Sequence, residues 1–174
     1  MIKQEPIDMC LDISEKQLRF TLNPDAVWEE FDVKLKLLID KTEWQEVKFL
    51  DDSYKGLHSS MRNLPNKKGG VYVFVLKPEI IPATHLYILY IGRARYTSNQ
   101  NLRKRCRQYF SDNKRPKINR MKTTWGNHLY IRYLPLEDNN IIDEMEKALI
   151  NAILPPCNDE IPSKRLMRSI KAFA

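Results

Sequence analysis

Three residue types and one run stand where chemistry could use them in this chain: two tyrosines, a glutamate, an arginine and a dense basic segment. Tyr72 lies in Gly70-Val71-Tyr72, at the head of an apolar run, and Tyr90 lies in Tyr90-Ile91-Gly92, at the tail of another. Glu146 falls in the middle of a helical face formed by Ile142, Met145, Leu149, Ile150 and Ile153, whereas Glu144 points to solvent. A polar group on such a face costs on the order of 2–7 kcal/mol, and a charge more, unless it is paired or bound to a metal. An arginine partner would make Glu146 structural, and a cation would make it functional. Arg105 sits at the edge of the stripe Leu102, Cys106, Tyr109 and Phe110, an odd place for a guanidinium unless an anion meets it there.

The elements that must position these groups can be read from pattern. Val71 to Leu76 and Leu86 to Ile91 are β-branched and aromatic runs around a loop carrying Pro78 and Pro82, which predicts a hairpin with a long loop. Each outer glycine lets backbone or substrate approach closely. The spacing predicts a helix over 101–110, a third strand over 128–136, and a helix over 141–154 capped by Asp138-Asn139-Asn140 and stopped by Pro155-Pro156. Residues 111–127 are basic and poorly periodic. Upstream, 17–22 alternates like a strand, and Asn23-Pro24-Asp25 resembles a helix start. Val27, Phe31, Leu35 and Leu38 continue that helix to 40, and 44–50 suggests another strand. Residues 1–65 are expected to form an extension packed on a core domain over 66–174.

Composition bounds the function. With 43% hydrophobic and 29% charged residues the chain is expected to fold rather than stay disordered. No apolar run approaches the ~20 residues of a membrane span, and the N-terminus lacks a signal-type apolar core, so a cytoplasmic protein is expected. Cys10, Cys106 and Cys157 are widely spaced, as are the three histidines, which predicts neither a structural metal nor a disulfide. Residues 1–65 carry 9 Lys/Arg against 13 Asp/Glu, whereas 66–174 carry 20 against 9. Within 93–122, eleven basic residues face one acid, Asp112. That density points to a polyanion, most simply nucleic-acid phosphate.

The tripeptides Gly70-Val71-Tyr72 and Tyr90-Ile91-Gly92 resemble the signature of the GIY-YIG nuclease family, with valine for the first isoleucine. The resemblance runs from Gly70 to Asn158. Helix 101–110 resembles the family helix with an essential arginine and an aromatic or histidine one turn on, here Arg105 and Tyr109. The gap after Gly92 is longer than in the repair enzymes of the family, which leaves Arg103 as a fallback. Glu146, Leu149-Ile150, Pro155 and Asn158 resemble the family's last helix.

The resemblance implies an α+β fold, a small three-stranded antiparallel sheet flanked by helices, to which the pattern of residues 1–65 adds an N-terminal αβ extension. It implies a metal-dependent DNA endonuclease using one Mg2+ (or Mn2+) held by Glu146. Arg105 would clamp the phosphate, Tyr72 would activate water, and Tyr90 and Tyr109 would orient water or phosphate. Asn158 would hold Glu146 or a strand in place. From the basic run, Arg93 (a position where the family often has a basic residue), Arg95, Arg103, Lys104, Arg107, Lys114, Arg115 and Lys117 are expected to contact DNA, most simply double-stranded, with a homodimer left open and no membrane partner. A free-standing enzyme of this size looks most like a restriction, defence or mobile-element nuclease. A repair nuclease on branched DNA and a non-catalytic nucleic-acid-binding module are the alternatives. Pro24-Asp25 with Glu46-Val47-Lys48 also imitates the PD…ExK pattern of restriction enzymes, but reads better as a helix start.

Overall fold

Four antiparallel strands make one sheet, ordered β1-β4-β2-β3. In this computed structural model the described residues are 28–78 and 86–173. The strands are β1 (Gln45–Lys48), β2 (Gly69–Leu76), β3 (Tyr87–Ala94) and β4 (Leu129–Leu136). The helices are α1 (Val33–Lys41), α2 (Leu102–Ser111), α3 (Pro116–Trp125), α4 (Asn139–Ile153) and α5 (Lys164–Phe173). None of the helices is long and apolar enough to cross a membrane, among the described residues.

β2 is paired on both edges and buried on both faces, which is why GGVYVFVL reads as an unbroken apolar run. Val71, Val73 and Val75 pack with Phe31, Leu35, Ile142, Met145 and Leu149. Tyr72 and Phe74 face the other way, onto Leu102, Cys106, Tyr109, Ile118 and Met121. The sheet is thus the middle layer between α1 with α4 and α2 with α3. A helix-on-both-faces sheet positions groups at the C-terminal end of β3 between α2 and α4.

Three expectations need correction. The sheet has four strands, not three, because Gln45–Lys48 pairs with Tyr130–Tyr133 of β4. A boundary at residue 65 would therefore cut through the sheet, with β1 on one side and the other three strands on the other. The helix expected over 24–40 is not continuous: Trp28 is helical, residues 29–32 leave the helix, and a new helix begins at Val33. Asp32 is extended and its Oδ1 accepts from Leu35 N at 2.8 Å, so it acts as an N-cap and starts the helix there. The strand over 17–22, the Asn23-Pro24-Asp25 start and most of the hairpin loop (79–85) lie outside the described residues.

The third correction is α3, which was not expected. Pro116 stands at its first turn, and Ile118, Met121 and Lys122 are its buried residues. A lysine in the apolar stripe hides the periodicity. Lys122 is buried because its three ammonium hydrogens find acceptors: Phe110 O at 3.0 Å, Asp112 O at 2.8 Å and Asn113 Oδ1 at 2.9 Å. Burial lowers its pKa. The lysine pins the loop that joins α2 to α3.

Candidate active site

The two tyrosines are set by strand register. Tyr72 on β2 lies opposite Gly92 on β3, and Phe74 lies opposite Tyr90. A Cβ at Gly92 would lie 2.6 Å from Tyr72 Oη, so the glycine makes room for the tyrosine side chain. The close approach expected there is made by the protein's own phenol. Tyr109 arrives from α2, and its hydroxyl lies 2.7 Å from that of Tyr72 and donates to Tyr90 Oη at 3.1 Å. Three rings and three hydroxyls from two strands and a helix form one chain, with edge-to-face ring contacts throughout.

Burial grades this chain from inside to outside. Tyr72 is fully buried, and desolvation, followed by the neighbouring Tyr109, pushes its pKa well above the ordinary phenol value. Tyr90 is half-buried and reaches the cleft. Its pKa is also raised, first by burial and then by Tyr109, with the Arg115 charge working the other way. Arg115 stacks over the Tyr109 ring at 4.9 Å and is itself held by Asp112, whose Oδ2 accepts from Arg115 Nε at 2.7 Å. Arg105, one turn before Tyr109, lies over the same ring at 5.6 Å and donates to Gln108 Oε1 at 3.2 Å.

Across the cleft stands α4. Glu146 is 13% exposed, and its Oε2 pairs with Arg93 Nη1. Arg93 Nε also forms an ion pair with Asp143 Oδ1 at 2.9 Å, and Asp143 accepts from Arg95 Nε at 2.9 Å. The Arg95 guanidinium, and then Arg93, holds the Asp143 carboxyl below its ordinary value. Arg93 and Arg95 share one face of β3, and Asp143 and Glu146 share one face of α4. Of the two alternatives open for Glu146 the arginine partner is observed, and the carboxylate also lies on a cleft wall.

These walls enclose a cleft of about 710 Å³ lined by Tyr72, Tyr90, Arg93, Arg95, Arg105, Arg115, Glu146 and Asn158, together with Gln100, Lys147 and residues 159–162. Asn158 acts as a strand surrogate. Its Oδ1 accepts from Ile91 N and its Nδ2 donates to Ile91 O, both at 2.9 Å, while Cys157 N donates to Leu89 O at 2.9 Å. The turn after α4 thereby satisfies the outer edge of β3. Asn158 holds a strand, the second of the two tasks expected of it.

Several expected site residues lie elsewhere. Arg103 donates to Leu64 O at 2.7 Å and Arg62 O at 2.6 Å, tying α2 to the 3-10 turn before β2. With Lys104 and Arg107 it borders a separate depression, so it does not stand in for Arg105. Tyr109 lies behind the cleft wall. Lys114 and Lys117 do not line the cleft, and Lys117 pairs with Asp159 at 3.1 Å. Glu46 of the PD…ExK-like pattern is engaged by Lys77 at 2.6 Å and Arg132 at 2.8 Å, and Asp25 lies outside the described residues.

Asp143 and Lys147 were missed, although the i,i+2 arginines and the i,i+3 acids were a legible pairing signal. Among the described residues no group of three or more His, Cys, Asp or Glu side chains converges to hold a metal. An ion here would rest on the Glu146 carboxylate with waters and substrate oxygens around it, an arrangement magnesium tolerates. Comparison with protein-family models, curated proteins and solved structures returned no match to this chain.

Proposed function

We propose that the chain is a divalent-metal-dependent endonuclease that hydrolyses DNA phosphodiester bonds in the cleft between β3, α2 and α4. One observation carries this reading. Tyr90, Arg105 and Glu146 come from three separate elements, a strand and two helices, yet line one cleft that also holds Arg93, Arg95 and Arg115. Phosphate recognition needs planar, permanently charged donors, which four guanidinia supply. Hydrolysis further needs an aligned water and charge compensation at the phosphoryl group.

Each side chain has a task in the proposed reaction. Arg105 and Arg115 bind phosphate oxygens from the α2 side. Tyr90 accepts from Tyr109, so its own proton points outward to a water or phosphate oxygen and orients it. Tyr72 is too deeply buried to take a proton from solvent water. It anchors Tyr109, and through it Tyr90. Glu146 would hold the ion, with Arg93 shifting from the carboxylate toward substrate as the phosphate enters. A bound Mg2+ or Mn2+ supplies positive charge at the phosphoryl group and lowers the pKa of the water it holds.

The Arg93–Glu146 pair favours a second reading. It satisfies the carboxylate without an ion, as a nucleic-acid-binding module without chemistry would require. Incubating the protein with supercoiled plasmid in Mg2+, Mn2+ or EDTA, and sequencing the ends, separates the two. Metal-dependent nicked or linear product is expected. Salt-sensitive binding without cleavage in any metal would leave the second reading in its place.

A further inference from the structure

α5 was not expected from the sequence, and the cleft described above does not include it. Its ten residues, KRLMRSIKAF, contain four cations and no acid. It starts where one wall of the cleft ends, since Ile161 and Pro162 line the cleft and Ser163 precedes the helix. The start is fixed on both sides. Ser163 N donates to Asn151 Oδ1 on α4 at 3.0 Å, and Ser163 Oγ accepts from Leu166 N at 3.3 Å. Lys164, Arg165 and Arg168 are exposed, whereas Leu166 and Met167 are half-buried.

We propose that α5 is a second contact for the DNA backbone, taking phosphates of the segment that runs out of the cleft. This rests on the DNA-binding part of the reading above and not on its chemistry. A helix of this length spans roughly 15 Å, along which duplex DNA presents one charge per about 1.7 Å. Lys164 and Arg168 are four residues apart and so lie one above the other on one face, facing successive phosphates. The inner face argues for DNA over an anionic membrane. A membrane-surface helix needs its apolar side free to enter the headgroup region, and here Leu166 and Met167 are already partly covered. The cleft wall before α5 carries Asp159 and Glu160, which repel phosphate, so cations just beyond them restore the attraction along the path.

The test is equilibrium binding of the full chain to duplex DNA across a salt series, comparing the wild type with Lys164→Glu/Arg168→Glu and the milder Lys164→Gln/Arg168→Gln. Loss of two phosphate contacts should make the log K against log salt slope shallower by about 1.8, at about −0.9 per phosphate. Both variants should unfold as the wild type does, because the two side chains are exposed. An unchanged slope in a folded variant overturns the proposal. So does wild-type binding to phosphatidylserine vesicles with none to duplex. Failure of the nuclease reading looks different: a steep, α5-dependent salt slope with no cleavage.

Discussion

The Tyr72 hydroxyl lies 2.7 Å from that of Tyr109, interacts with the Arg105 guanidinium and has no exposed surface, so its contribution to a reaction passes through these neighbours. Tyr72→Phe removes one buried hydrogen bond and should cost about 1 kcal/mol of stability by denaturant unfolding. Cleavage should fall about tenfold, since each 1.4 kcal/mol of lost positioning is one decade. Tyr90→Phe removes the phenol that reaches the cleft. It should cost about a hundredfold or more in turnover, within the range for an orienting or proton-transferring side chain. Single-turnover cleavage by both variants checks the order. A larger loss in Tyr72→Phe would mean that the inner phenol reaches substrate after all.

At the scale of elements, α2 presents two surfaces that a basic run cannot distinguish. Arg103 faces the carbonyls of Arg62 and Leu64, and Arg105 faces the cleft. Arg103→Ala should lower stability by about 1–2 kcal/mol and leave DNA affinity nearly unchanged. Arg105→Ala should do the reverse, weakening DNA binding about tenfold, the scale of one charge-assisted contact. Chemical denaturation and a binding titration on both variants decide this. The contrast shows what was legible in the sequence. Strands β2, β3 and β4 and helices α2 and α4 follow from periodicity and caps, and Glu146 stood out because a carboxylate on an apolar face is rare. α3 was hidden by Lys122, whose burial depends on carbonyls at the end of α2 and in the loop that follows it. The fourth strand needed a pairing with β4 that no local pattern encodes. The task of Gly92 was misread because only the register shows that Tyr72 lies against it.

Across the whole molecule, the interlocked phenols make stability sensitive to alkali. Tyr72 and Tyr90 have raised pKa values in the folded state, with burial as the largest cause. In the unfolded chain they ionise near the ordinary ~10. Above that pH the unfolded state binds fewer protons than the folded one, so stability falls as pH rises from about 10. Below it both groups are neutral in both states and add no slope. Denaturant midpoints and tyrosinate absorbance across this range should show the Tyr72 and Tyr90 phenols ionising only as the chain unfolds. Complete tyrosine titration in a still-folded protein would contradict the buried chain. The central claim is that one cleft binds DNA and cuts it with Glu146. Its most direct test is Mg2+-dependent plasmid cleavage by wild type and Glu146→Gln at matched DNA occupancy. The account predicts DNA binding within about threefold and cleavage about a hundredfold or more slower, the scale of losing one charge contact at the reacting centre. Cleavage by Glu146→Gln at the wild-type rate would contradict it.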